Sequence, residues 1–110
     1  MDKFDFYKQV YAIVREVPCG RVTSYGAIAK SIGMPKSSRM VGYAMNASHD
    51  MPDVPAHRVV NRNGFLTGRM HFATSDQMEE LLIKEGVLIN ENQVQNFEEL
   101  FWDPFSLIKE

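Results

Sequence analysis

Apolar residues recur near helical spacing at the start of the chain, where Phe4, Phe6, Tyr7, Val10, Tyr11, Ile13 and Val14 follow a 3.6-residue repeat. They predict an amphipathic helix ending near Val17-Pro18, with these side chains turned to the core. Pro18-Cys19-Gly20 reads as a turn and Arg21-Val22-Thr23 as a short extended stretch. Ser24 suits an N-cap for a short helix over residues 26–32, which Gly33 stops. After Met34-Pro35, Ser37 or Ser38 can begin a second helix over residues 39–46. Two short helices joined by a glycine-containing turn are the pattern of a helix-turn-helix. The small residues Gly26, Ala27, Ala29, Gly42 and Ala44 permit close packing of helix on helix, or of the second helix on a phosphate backbone.

Residues 50–58, with Pro52 and Pro55, read as a loop, and Val59-Val60 as a buried strand. Asn61-Arg62-Asn63-Gly64 is a turn signal. Thr74-Ser75-Asp76-Gln77 fits a capping box, with Thr74 as cap and Gln77 three residues on. It would open a helix through Met78, Leu81, Leu82 and Ile83 that Gly86 ends. Val87-Leu88-Ile89 and Gln93-Val94, around Asn90-Glu91-Asn92, read as a small hairpin. The tail over 97–102, with the single tryptophan Trp102, is expected to pack back on the body. These elements predict one domain over residues 1–110, mainly α with small β elements and winged helix-turn-helix-like in architecture.

Composition narrows the class. With 45% hydrophobic and 24% charged residues, the chain can build a core and lacks the profile of a disordered one. No apolar run reaches the length of about 20 residues that spans a bilayer. Acids stand at Asp2 and Asp5, where a secretory leader would carry bases, so a soluble cytoplasmic protein is expected. One cysteine, Cys19, excludes an internal disulfide framework. The spacing of Cys19, His49, His57 and His71 follows no zinc-ligand pattern, so neither a metal nor a cofactor is expected. The net charge of -2 hides a split: residues 1–69 hold ten Lys/Arg against five Asp/Glu, residues 70–110 two against nine. A basic portion of this kind suits a polyanionic partner, with the acidic portion facing away.

Three stretches carry a resemblance: 20–26 (GRVTSYG), 39–45 (RMVGYAM) and 55–60 (PAHRVV). In this order and at these separations they resemble the DNA-binding domain of the O6-alkylguanine-DNA alkyltransferases, from about residue 4 to residue 87. Residues 88–110 form a C-terminal extension, and the family's separate N-terminal domain has no counterpart in these 110 residues. The family signature is Pro-Cys-His-Arg-Val, and here the nucleophile's place is held by Ala56. A methyl group has no lone pair with which to attack an alkyl carbon, as a thiolate does. The chain therefore resembles the alkyltransferase-like branch, which binds the lesion without removing it and is linked to nucleotide excision repair.

That resemblance implies roles residue by residue. Tyr25 would crowd the 3' phosphate of a flipped nucleotide, and Arg39 would fill the vacated stack. The helix bearing Arg39 would lie in the minor groove, where Gly42, Ala44 and Ala47 approach closely and Thr23, Ser24, Ser37 and Ser38 can meet phosphates. Met45, Pro55, Ala56, Val59 and the neighbouring Val60 would form the lesion pocket. Arg69, where transferases usually carry tyrosine, would discriminate the alkylated purine by stacking and charge. His57 and Glu85 match the family's proton relay but have no thiol to serve, so with Arg58 they are assigned support of the loop. Two departures stand out: Ser48 replaces an asparagine that pins the turn after the helix, and Tyr43 replaces a small residue. The implied partners are double-stranded DNA containing O6-alkylguanine and nucleotide excision repair proteins, with the chain a monomer off the membrane. Two alternatives remain open: a winged-helix transcription regulator without lesion specificity, and a transferase using an unrecognised nucleophile. For the latter, Cys19 lies in a turn away from the motif, and no Gly-x-Ser-x-Gly pattern offers a serine.

Overall fold

The computed structural model describes residues 2–108. Helix α1 spans Lys3–Arg15, with the Asp2 carboxylate accepting from the Asp5 amide at its start. Phe6, Val10, Tyr11 and Val14 are buried and Tyr7 and Ile13 pack partly against them. Phe4, expected in the core, is 75% exposed, because it sits in the first turn on the outward side of the helix.

The chain turns over Cys19 and Gly20 into strand β1 (Thr23–Ser24) and then α2 (Tyr25–Ser31). Ser24 caps α2, its hydroxyl accepting from the Ala27 amide at 3.1 Å. Gly33 ends the helix at φ +89°, a left-handed conformation that side chains resist. Helix α3 (Ser38–Asn46) follows, with Ser37 at its N-cap position making no side-chain cap bond. Helices α1, α2 and α3 pack on one another around the first core cluster. The Tyr11 hydroxyl locks α1 to α3 by donating to the Ala44 carbonyl at 2.9 Å.

Strand β2 (Val59–Val60) runs parallel to β1, with Thr23 opposite Val59 and Ser24 opposite Val60. Because successive strand side chains point to opposite faces, Val59 joins the first core and Val60 the second. The second core gathers Val22, Val60, Leu66, Met78, Leu82, Val87 and Val94. It holds α4 (Gln77–Lys84) against the antiparallel hairpin of β3 (Ile89–Asn90) and β4 (Gln93–Val94). The hairpin turns through Glu91 and Asn92, both at positive φ, as a two-residue primed turn requires.

The expected capping box at Thr74 does not form, and α4 begins three residues later. Gln77 is instead its first residue, and its side chain reaches back to accept from the Ala73 amide at 2.9 Å. The tail forms a short helix, α5 (Phe97–Leu100), and docks beside β1. Val22 donates to the Leu100 carbonyl, and the Trp102 amide to the Val22 carbonyl at 2.7 Å. Arg21 fastens this junction through the Leu100 and Phe101 carbonyls.

Candidate nucleic-acid interface

The outward face of α3 is set by helical spacing. Val41, Ala44 and Met45 point into the first core, which leaves Arg39, Tyr43 and Ala47 exposed one turn apart, flanked by Gly42 and Asn46. Arg39 forms no ion pair among the described residues. Tyr43 is 52% exposed on the same face. Gly42 has open space around the position a Cβ would occupy. Ala44, expected on this face, is fully buried and cannot touch a groove.

The hydroxyls of β1 also differ from expectation. Thr23 is fully buried, with its Oγ1 lacking any partner among the described residues, and Ser24 spends its hydroxyl on the α2 cap. Neither is presented to a phosphate. Ser37 and Ser38, at the start of α3, are half-exposed and retain that possibility.

Behind α3 lies a cleft of about 840 Å3, between the loop that follows α3 and the segment leading into α4. Tyr25, Met45, Pro55, Ala56 and Val59, all singled out in the sequence, line it together. Ala56 opens a 3-10 turn, Ala56–Arg58, that leads into β2. Ser48 stands where an asparagine was expected to pin the turn. It is buried and donates to the Met45 carbonyl at 2.7 Å, tightening the end of α3.

Arg69 does not line the cleft. It starts a second 3-10 turn, Arg69–His71, and its Nη1 donates to the Leu66 carbonyl at 3.2 Å. Gly68, His71 and Phe72 of this segment face the cleft instead. Gly68 lets Tyr25 in: a Cβ there would lie 2.9 Å from the phenol oxygen. Burial raises the Tyr25 pKa while a hydrogen bond with Thr67 opposes the rise, so the phenol stays protonated and polar at the cleft wall. Sequence reading drew only Arg69 from this segment, by motif position, and missed Gly68, His71 and Phe72 as cleft residues because residues 67–73 show no periodicity. The only signal in it was an aromatic and a histidine close behind a glycine.

A charged knot supports the cleft floor. Glu85, at the end of α4, accepts from His57 Nε2 at 2.7 Å, from Arg58 Nη2 at 2.8 Å and from the Gly20 amide at 2.9 Å. Arg58 Nη1 also donates to the Val17 carbonyl at 2.8 Å. Burial alone would raise the Glu85 carboxyl, but the bonds from Arg58, Gly20 and His57 outweigh it and hold its pKa at about 2. Burial likewise lowers the His57 pKa against the pull of Glu85, so the ring is neutral and donates its Nε2 proton. The knot ties the end of α1, the turn before β1, the Ala56–Arg58 turn and α4 into one frame.

Cys19 is exposed in the turn after α1 and does not line the cleft. Among the described residues no group of His, Cys, Asp and Glu is arranged to hold a metal ion, and no helix is long and apolar enough to cross a membrane.

The family model for the 6-O-methylguanine DNA methyltransferase DNA-binding domain matches residues 5–87. Alkyltransferase-like protein 1 of Schizosaccharomyces pombe is 38% identical over 104 residues, 91% of this chain and 96% of that protein. The methylated-DNA–protein-cysteine methyltransferase of Methanosarcina acetivorans is 44% identical over 80 residues, 73% of this chain. The chain spans about half that enzyme's length, the match covering 49% of it. A crystal structure of the S. pombe alkyltransferase-like protein with damaged DNA containing O6-carboxymethylguanine superposes with a TM-score of 0.83 at 38% identity. That match covers 94% of this chain and 100% of that one. With the fold, the motif order and the cleft in agreement, the chain belongs to the family of the 6-O-methylguanine DNA methyltransferase DNA-binding domain, on its alkyltransferase-like side.

Proposed function

We propose that this protein is a non-catalytic sensor of O6-alkylguanine in double-stranded DNA. The minor groove receives the Arg39, Gly42, Tyr43 and Ala47 face of α3. Tyr25 turns the lesion nucleotide out of the stack, Arg39 fills the gap, and the extruded base enters the cleft at Ala56. Bound there, it meets Met45, Pro55 and Val59, and nothing attacks it. Excision repair then acts on the marked site, recruited by the monomeric protein on DNA.

One observation carries this reading: Ala56 lines the cleft beside Tyr25, while the single cysteine stands elsewhere. The S. pombe relative's complex with damaged DNA supports the choice of ligand. Arg69 would reach the base only by leaving the Leu66 carbonyl, so its discriminating role requires a change on binding.

The test is a titration, at fixed salt, of a duplex with one O6-methylguanine against its unmodified twin. Salt must be held because phosphate contacts scale steeply with it. Tighter binding of the lesion is expected, and equal affinity would leave the winged-helix regulator as the better reading. A labelled methyl group should remain on the DNA, and its appearance on the protein would establish a transferase.

A further inference from the structure

The outward stripe of α3 is flat except at two places. Arg39, Tyr43 and Ala47 are its exposed residues, four apart in sequence, and Gly42 beside them has open space where a Cβ would stand. Ala47 adds only a methyl group, so Arg39 and Tyr43 alone project from the stripe. Arg39 has its task in the vacated stack. Tyr43 has none within the protein. It is 52% exposed, its ring meets no aromatic neighbour and its hydroxyl no hydrogen-bond partner among the described residues. A large aromatic ring held in water in the middle of a binding face gains most by burial in the complex.

Dimensions fix where the ring goes. A helix with its side chains is about 10–12 Å across. The minor groove of B-DNA is about 6 Å wide, so α3 enters only a groove that has been opened. Helical side chains lean toward the N-terminus, which turns the Tyr43 ring toward Arg39. Four residues of helix separate the two by about 6 Å along the axis, and base pairs stack about 3.4 Å apart. The ring therefore arrives within about two base-pair steps of the gap that Arg39 fills. Apart from the hydroxyl at its far end it is planar and apolar, a form suited to wedging between base steps and kinking the duplex.

We propose that Tyr43 is a second intruding side chain, an aromatic wedge that enters a base step beside the lesion and holds the groove open for α3. This role rests on α3 lying in the minor groove of a lesion-bearing duplex, and it makes Tyr43 a determinant of sequence context. Pyrimidine–purine steps unstack readily and A-tracts are stiff, so the wedge costs less beside a TA step than within an A-tract. Lesions flanked by flexible steps are bound more tightly for that reason.

The test uses O6-methylguanine duplexes with either a TA step or an A-tract within two base pairs of the lesion, on each side in turn, and their unmodified twins. Affinity is titrated at fixed salt, and bending is read by energy transfer between dyes at the duplex ends. The parent protein should bind the lesion beside a TA step about fivefold more tightly than the lesion in an A-tract. Tyr43→Ala should lose that preference, bend the duplex less and bind the lesion about fivefold more weakly, as loss of one base–aromatic contact does. Tyr43→Phe keeps the ring and should match the parent. The position is exposed, so neither substitution disturbs the core. A parent without context preference, a Tyr43→Ala variant that keeps bend and preference, or a Tyr43→Phe variant as weak as Tyr43→Ala overturns the wedge while lesion recognition stands. If no lesion duplex outcompetes its unmodified twin, the placement of α3 is wrong and the wedge falls with it.

Discussion

Glu85 Oε2 stands 2.7 Å from His57 Nε2, so the residue at the C-cap of α4 reaches the turn that carries Ala56. The contact joins two groups whose pKa values are both lowered, and the signs add. Glu85 moves from 4.5 to about 2, so its contribution is complete above the unfolded value and is lost as pH falls from there toward 2. His57 lies below 6.5 when folded, so stability also declines as pH falls from 6.5 through its folded value. Thermal melts should show a midpoint that drops in both windows. Glu85→Gln should cost about 2 kcal/mol at neutral pH, the scale of hydrogen bonds to a charged group, and should flatten the lower window. An unchanged acid limb in that variant would remove Glu85 from this role.

Thr23 offers a contrasting case. A buried hydroxyl without a partner costs about 1–3 kcal/mol, and valine has the same shape without the need. Thr23→Val should leave stability unchanged or raise it by about 1 kcal/mol, with DNA affinity as before. A marked loss of affinity would place the hydroxyl on a phosphate after all.

Arg39 and Lys30 are both exposed cations, but only Arg39 lies on the α3 face beside Gly42 and Tyr43. Arg39→Ala should weaken lesion binding about tenfold or more, roughly 1.4 kcal/mol, while Lys30→Ala costs less. A larger loss for Lys30→Ala would contradict a stack-filling arginine.

Gly68→Ala separates stability from binding. Gly68 has φ -88°, which alanine adopts freely, but the new methyl would press on the Tyr25 phenol oxygen. Only the far end of one side chain must move, so the melting midpoint should shift little. Lesion affinity should fall with the displaced phenol. Unaltered affinity would free Tyr25 from nucleotide flipping.

Local chemistry made much of this fold legible. Ser24 and Gly33 bracket α2 as read, and the turn at Asn61-Arg62-Asn63-Gly64 closes through Gly64 N to the Asn61 carbonyl. Those signals act within a few residues. What escaped depends on partners distant in sequence. Ala44 looked like a groove-facing small residue, yet it is buried because α1 and α2 close over it. Arg69 was placed by motif position, but its direction is set by the Leu66 carbonyl. Thr74 had the right spacing for a cap and lost to a start at Gln77. The cleft was half visible, since its loop carries a motif and its far wall at Gly68, His71 and Phe72 does not.

Ala56→Cys tests whether the absent sulfur is all that divides this protein from a transferase. A thiol has an ordinary pKa near 8.5 and needs a base or a cation to become a useful thiolate at neutral pH. The neighbouring His57 is neutral, but its Nε2 is bound to Glu85, whose charge is in turn shared with Arg58 and the Gly20 amide. Ser48 holds the end of α3 through the Met45 carbonyl, and Arg69 lies off the cleft, so the pocket's edges differ from the transferase pattern as well. The variant should therefore bind an O6-methylguanine duplex much as the parent does and acquire little labelled methyl. Stoichiometric labelling at neutral pH would show that His57 and Glu85 still form a working relay and that Ala56 alone holds the chemistry back.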